Sequence, residues 1–386
     1  MKKSGNKICW VIANPLTINF FLRDHIAMLA RDYELTVVTN TRDPKFLTDL
    51  GVPLRLIPMS IARDVQPWSD VKALLSLVWL FWREKFDVVH SLSPKTGLLA
   101  ILAAWLTRVP VRLHTFQGEV WITRKGLWRA VLIFLDKLVA SCATHLTVVS
   151  FSERQFLIDQ RIASAEKLQV LGHGSICGVD IQRFKPDPQA RGELRRRLGI
   201  AETEIIFIFV GRLNRDKGLL DLAHAFVRVS KAHPGAHLLM VGPDEAKIRA
   251  DVESIGASVS GRLHFADYTA HPEQYMAACD VLCLPSYREG FGLVLIEAAA
   301  TGLPTIGSRI YGITDAIADG QSGLLCNPAD PDDLAEKMER LVNDSELRAK
   351  LGTFGMIRAR ETFAKELVLC QMLNLYQRLL PTVRNA

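Results

Sequence analysis

Short runs of consecutive apolar and β-branched residues recur along this chain, and a longer segment with helical spacing follows almost every one. One series comprises 7–13 (KICWVIA), 34–40 (ELTVVTN), 53–59 (PLRLIPM), 87–92 (DVVHSL), 111–116 (VRLHTF), 145–150 (HLTVVS) and 168–172 (LQVLG). A second comprises 205–211 (IIFIFVG), 237–242 (HLLMVG), 262–267 (RLHFAD), 281–286 (VLCLPS), 304–308 (PTIGS) and 323–327 (GLLCN). Hydrophobicity that is continuous rather than alternating belongs to strands covered on both faces, the condition of a parallel sheet between helix layers. Strands alternating with helices in this way predict doubly wound α/β domains. A chain of 386 residues is too long for one small core. The alternation breaks near FKPDPQARGELRRRLGI (184–200), where two prolines and a charge run intervene. We therefore expect two Rossmann-like domains, residues 1–190 and 191–365, with a C-terminal helix at about 366–386 packing back on the first. Open parallel sheets bind ligands at the carboxyl ends of their strands, so the chemistry is expected in a cleft between the halves.

Composition narrows the classes. With 49% apolar and 23% charged residues the chain is an ordinary globular one, not a disordered one. No apolar run is long enough to cross a bilayer. The start, MKKSGNKICWVIANPL, is basic and then apolar like a secretory signal, but its apolar part is short and no small-residue cleavage site follows, so it reads as a first strand. Seven cysteines are scattered without a C-x-x-C spacing, as expected of free thiols in a reducing cytoplasm. Residues 1–190 hold 24 Lys and Arg against 16 Asp and Glu. Such a surplus suits an anionic partner, whether a phosphate-bearing acceptor, a lipid surface or nucleic acid, and a merely solvated surface accounts for it equally well. Nucleic acid is disfavoured because the basic residues are dispersed, without an aromatic-interleaved patch.

Chemistry concentrates in SYREGFGLVLIEAAATGLPTIGS (286–308). Glu289 follows a strand and precedes Gly290, Phe291, Gly292 and Leu293, where a helix opens; Glu297 lies in that helix among apolar and small residues. Two acids can be surface residues, but a carboxylate in so apolar a run is costly unless it has a partner or a task. A helix N-terminus beside glycines suits a phosphate that must approach the backbone closely. A second stretch, FVGRLNRDKGLLDL (209–222), leaves a strand through Gly211, presents Arg212 and Lys217, and opens a helix at Gly218. Alone, such cations can simply be solvated; together with the glycine-rich opening they can neutralise a diphosphate. Asp330-Pro331-Asp332 spells a metal-binding triplet, yet it precedes a helix, and capping explains it without metal.

These pieces, with LMVGPDE, ACDVLCLPSYREGFGLVLIEAAATGLPTIGSRIYGITDAI and DGQSGLLCNPADPDDLAEKM, resemble family 4 glycosyltransferases with the two-Rossmann GT-B architecture. SPKTGLLAILAAWLTRVPVRLHTFQGEVW (93–121) and VLGHGSICGVDIQRF (170–184) are similar to bacterial members that build capsule, exopolysaccharide or O-antigen chains. The resemblance implies that Glu289 lies near the donor sugar and stabilises the charged transition state, and that Glu297 hydrogen-bonds the nucleotide ribose. It implies that Arg212 and Lys217 hold the diphosphate of a nucleoside diphosphate sugar, a uridine diphosphate above all, with backbone N–H groups around Phe291, Gly292 and Leu293. Such enzymes retain the anomeric configuration and need no metal, and the nucleotide sugar is a substrate rather than a cofactor.

In the first half, His114 ends a strand where similar enzymes place a histidine near the sugar, although a satisfied core histidine is an equal reading. Glu119 is a candidate for acceptor contact, and His173 is expected to shape a turn. Many relatives carry a glycine pair after the first strand; this chain has NPLTINFFLRDHIAML, leaving Asn14 and Thr17 as acceptor candidates. Acceptors in the resembled group are commonly polyprenyl-diphosphate-linked, which implies peripheral attachment to the anionic cytoplasmic face of the inner membrane. Segments 66–87, with Trp68, Trp79 and Trp82, and 123–140 mix aromatic and basic residues suited to such a surface; packing on their own sheet is the alternative. A sugar-nucleotide epimerase of the same architecture and a non-catalytic assembly subunit remain rival readings.

Overall fold

The computed structural model describes residues 5–62 and 66–380, and these fall into two compact units, residues 1–177 with 366–386, and residues 178–365. The start of the amino-terminal stretch and the last six residues of the expected C-terminal helix lie outside the described residues. Every apolar run singled out in the sequence is a strand.

In the first unit the chain runs β1 (Lys7–Ile12), a single turn α1 (Pro15–Thr17), α2 (Arg23–Asp32), β2 (Glu34–Thr39), β3 (Arg55–Pro58), α3 (Pro67–Glu84), β4 (Val88–Leu92), α4 (Pro94–Leu106), β5 (Val111–Phe116), α5 (Gly126–Cys142), β6 (His145–Val148), α6 (Phe151–Asp159) and β7 (Leu168–Val170). The strands form one parallel sheet in the order β3-β2-β1-β4-β5-β6-β7. The order reverses between β1 and β4, so the loops after them part there and leave a crevice at the carboxyl ends. Proline at the first helical turn of α1, α3 and α4 starts each helix where its missing N–H costs nothing.

The second unit continues with α7 (Pro188–Leu198), β8 (Ile205–Val210), α8 (Leu219–Ala232), β9 (Ala236–Val241), α9 (Arg249–Ile255), β10 (Leu263–Ala266), α10 (Pro272–Ala278), β11 (Val281–Leu284), α11 (Leu293–Ala300), β12 (Thr305–Ser308), α12 (Ile313–Ala316), β13 (Gly323–Cys326), α13 (Pro331–Asn343) and α14 (Ser345–Thr362). Its parallel sheet is ordered β10-β9-β8-β11-β12-β13, with the reversal between β8 and β11. The seam expected at 190 falls inside α7, because Asp187 caps that helix by accepting from Gln189 and Ala190 N–H, both at 3.0 Å, and makes it one unit.

α15 (Lys365–Leu379) completes the first unit, burying Met372, Leu375, Tyr376 and Leu379 among β1, β2 and α2. Its register is set by a polar chain within that core. Trp10 Nε1 donates to Tyr376 Oη at 2.6 Å, which lies 2.8 Å from His90 Nδ1. His90 Nε2 lies 2.7 Å from Thr115 Oγ1, itself 2.6 Å from Thr147 Oγ1. All of these side chains are buried, and burial holds the His90 imidazole well below its usual pKa, hence neutral. The seven cysteines are free thiols. Among the described residues no helix is long and apolar enough to cross a membrane.

Candidate active site

In the second unit the reversal between β8 and β11 brings two loops together, the one after β8 (211–218) and the one after β11 (285–292). Their backbones touch. A Cβ on Gly218, which sits at φ +68°, would fall 2.0 Å from the Pro285 carbonyl oxygen, so only glycine allows this approach. Tyr287 N–H donates to the Asp216 carbonyl at 2.9 Å, Tyr287 Oη donates to Asp221 Oδ2 at 2.7 Å, and Arg288 reaches Asp216 at 3.3 Å.

These ties set Lys217 Nζ against Glu289 Oε1 in a direct ion pair. Ser286 Oγ donates to the same oxygen at 3.0 Å. Both charged side chains are largely enclosed, 17% and 15% exposed, so their attraction is screened less than that of a surface pair. With Oε1 taken twice, Glu289 Oε2 is left without a partner among the described residues.

Gly292, at φ +79°, turns the chain into α11, with Phe291 and Leu293 beside it. Glu297 sits in the second turn of that helix, half-buried, with no hydrogen bond to its carboxylate among the described residues. Burial pushes its carboxyl up to about 7; the Arg183 cation pulls against it, and the Glu273 carboxylate adds a smaller upward push. A carboxyl poised there accepts hydroxyl hydrogen bonds most readily once it ionises.

Arg212 stands apart from the pair. Its guanidinium is 40% exposed and bonds Glu245 Oε2 at 3.1 Å, beyond the end of β9. The expected meeting of both cations with the acids is thus realised for Lys217 and Glu289, while Arg212 is held by an acid that sequence reasoning did not single out. Ser286, Tyr287 and Asp221 were missed as well; their signal was their place at the strand end and on the facing helix turn. Asp330 caps α13 by accepting Asp333 N–H at 3.0 Å, and Asp332 pairs with Arg228 at 3.0 Å, so capping accounts for that triplet.

In the first unit His114 is buried two residues before the end of β5, beside β4 rather than at the β1/β4 reversal. Its Nδ1 lies 2.9 Å from Ser91 Oγ, and its ring stands edge-on to Phe116 at 4.7 Å between centroids. Gly97, in the first turn of α4, underlies the ring; a Cβ there would come within 2.5 Å of Cε1. Burial lowers the imidazole to about 3, so His114 is neutral at any physiological pH and can only give or take a hydrogen bond. A small cavity beside it is lined by Gln117, Glu119 and Asp136, and the buried Gln117 amide nitrogen has no partner there. Asp136 Oδ2 accepts from Trp121 Nε1 at 2.7 Å, and burial raises this carboxyl to about 6. The fully buried Glu153 carboxylate holds the Glu119 loop by accepting Gly118 N–H and, at 2.9 Å, Val149 N–H.

Asn14 is exposed and caps α1 through Leu16 N–H at 3.0 Å; Thr17 is half-buried and opens a wide π-helical turn, Ile18–Leu22. A helical cap thus shapes the loop after β1. His173 is exposed.

Family models match both units. Residues 190–356 match the glycosyl transferases group 1 model, and residues 20–174 match a glycosyl transferase 4-like domain. A capsular polysaccharide biosynthesis glycosyltransferase, CapM, of Staphylococcus aureus is 31% identical over 83% of this chain and 84% of its own. An Escherichia coli UDP-Gal:alpha-D-GlcNAc-diphosphoundecaprenol alpha-1,3-galactosyltransferase is 29% identical over 75% of this chain and 74% of its own. Among solved structures, sucrose-phosphate synthase from Thermosynechococcus elongatus superimposes with a TM-score of 0.80 at 23% identity, over 98% of this chain and 100% of the other. HepE of Anabaena, in complex with UDP and glucose, reaches 0.80 at 18% identity over 97% and 100%.

Proposed function

The chain belongs to the group 1 glycosyltransferases, with the two parallel-sheet α/β domains of the GT-B architecture, and from that premise we propose that it moves a sugar from a uridine diphosphate donor to a lipid-linked glycan, with retention of anomeric configuration, in the assembly of a bacterial surface polysaccharide. The observation that carries this reading is the enclosed Lys217–Glu289 pair at the β8/β11 reversal, beside the N-terminus of α11. Glu289, with Oε2 open, faces the donor sugar and stabilises positive charge developing on it. Lys217 and Arg212, the latter exchanging Glu245 for ligand, hold the diphosphate together with N–H groups around Gly290, Phe291, Gly292 and Leu293. Glu297 receives the ribose hydroxyls. His114, kept neutral, hydrogen-bonds the sugar, and Asn14, Thr17 and Glu119 face the acceptor. Fixed cations and the helix dipole supply the electrostatic work that a divalent ion does elsewhere, so the transfer needs no metal.

The relatives support the donor and the acceptor: HepE carries UDP, and the Escherichia coli relative is named for a diphosphoundecaprenol substrate. An acceptor of that kind calls for an enzyme that works at the cytoplasmic face of the inner membrane, attached peripherally, which is part of the proposal. A screen of nucleotide sugars for protection against thermal unfolding identifies the donor, since a bound ligand raises apparent stability. Transfer to a polyprenyl-diphosphate glycan, followed by assignment of the new anomeric centre, tests the rest. Turnover of the donor without an acceptor points instead to an epimerase, and inversion ends the retaining reading.

A further inference from the structure

The helices α3, α4 and α5 pack side by side on one face of the first sheet, and their outer side is unusually apolar. α3 buries Ala73, Leu77, Leu80 and Phe81 against β-strands and α4. Its opposite side carries Trp68, Leu75, Trp79 and Trp82 at helical spacing, with Trp68 89% and Trp82 71% exposed. The stripe runs the whole helix, about 27 Å at 1.5 Å per residue. α5 repeats the arrangement, presenting Trp128, 67% exposed, and Phe134. A helix apolar on every side is normally covered on every side.

The charges around this face are one-sided. Arg124, Lys125 and Lys137 on and before α5, and Lys72 on α3, are exposed and have no ion-pair partner among the described residues. The acids nearby are taken or turned inward. Asp70 pairs with Lys95 at 2.6 Å, Glu84 with Arg55 at 3.1 Å, and Asp136 accepts from Trp121 inside the core. Arg83 lies over the Trp79 ring, 5.1 Å from its centroid, so a cation and an indole share one place. Tryptophans flanked by unpaired cations suit the boundary between lipid headgroups and acyl chains, where an indole keeps its N–H wet and its ring dry.

Resting on the peripheral attachment proposed above, we infer that the outer face of α3 and α5 is the docking surface, lying flat on an anionic bilayer with Trp68, Trp79, Trp82 and Trp128 at headgroup depth. A second copy of the chain is a poorer occupant, because a two-fold contact through this face sets its cations against themselves. α5 then has two working sides: its outer side rests on lipid, while Asp136 on its inner side lines the cavity beside His114 and Glu119. A lipid-linked acceptor is thereby presented at the loop that precedes the helix.

Cosedimentation of the full chain with phosphatidylglycerol–phosphatidylethanolamine vesicles is expected to pellet it, and phosphatidylcholine vesicles to pellet it far less, with salt releasing the bound fraction. The variant W68S/W79S/W82S/W128S changes only exposed side chains. It is expected to lose about tenfold or more in partitioning, as is R124E/K125E/K137E. Both variants keep their protection by UDP-sugar against unfolding, and brominated phosphatidylglycerol quenches the tryptophan emission of the parent but not of the tryptophan variant. Partitioning of the tryptophan variant equal to the parent's overturns the inference. So does a parent that pellets equally with both lipids, or one that is dimeric through this face. A parent that binds UDP-sugar but no vesicle overturns this surface alone; one that docks but binds no nucleotide sugar overturns the proposed function and leaves the surface standing.

Discussion

The two units solve the same topological problem with opposite electrostatics. Each sheet reverses its strand order, yet the loops at the β8/β11 reversal hold an enclosed lysine–glutamate pair, whereas the cavity beside β5 in the first unit is lined by a neutral imidazole, an amide and the Asp136 carboxyl, which burial raises to about 6. In the first unit, burial does the tuning: it removes charge from His114 and from the Trp10–Tyr376–His90 chain. In the second, backbone contacts at Gly218 and Tyr287 hold opposite charges together with solvent nearby. A crevice of the second kind suits a diphosphate; one of the first kind suits hydroxyl groups, which need direction rather than charge.

The contrast breaks most readily at Lys217. Lys217→Ala is expected to lower turnover about a hundredfold or more, as for the loss of a donor to a developing anion; Glu289→Gln is expected to behave alike. Turnover near wild type in either variant removes the charged crevice from the chemistry.

Glu297 sharpens the comparison by pH. Its folded carboxyl, raised from 4.5 to about 7, binds a proton more tightly than the unfolded one, so it costs nothing below pH 4.5 and its full penalty is reached above about pH 7. Glu297→Gln is therefore expected to stabilise the protein by on the order of 3 kcal/mol at about pH 8 and by nothing near pH 4, while weakening donor binding. Denaturant titrations at the two pH values decide it; an unchanged gap means that the carboxyl is not desolvated in the fold.

At the neutral crevice the expected effects are smaller. Ser91→Ala frees the His114 ring and is expected to reduce turnover about tenfold, the equivalent of one net hydrogen bond, with the same pH profile as the parent because the imidazole does not titrate in range. A new ionisation in that profile contradicts the buried, neutral histidine. Smallest of all, Asp330→Ala is expected to cost about 1 kcal/mol of stability through the lost α13 cap, with activity intact. Activity lost with it reopens the metal reading of that triplet.

Much of this was legible beforehand for a reason particular to parallel sheets. Their strands are apolar throughout, so IIFIFVG or VLCLPS can be located without knowing a neighbour, and the loops that leave them carry the motif residues. Arg212 was legible as a cation but not as the partner of Glu245, which lies thirty-three residues on and is brought near by strand pairing. Ser91 and Gly97 carried no signal, since a serine in a strand and a glycine in a helix acquire meaning only from the ring between them. The spacing of α3 was ambiguous for a similar reason: apolar on both sides, it does not say which side a sheet will cover.

From the residues alone came the parallel α/β architecture and the acid-and-cation motif, because each depends on local patterns of hydrophobicity and spacing along the chain; the family came from the resemblance of whole motifs. Only the tertiary structure decided which charges meet, which imidazoles stay neutral and which tryptophans face outward, because contact and desolvation depend on distances between segments far apart in sequence.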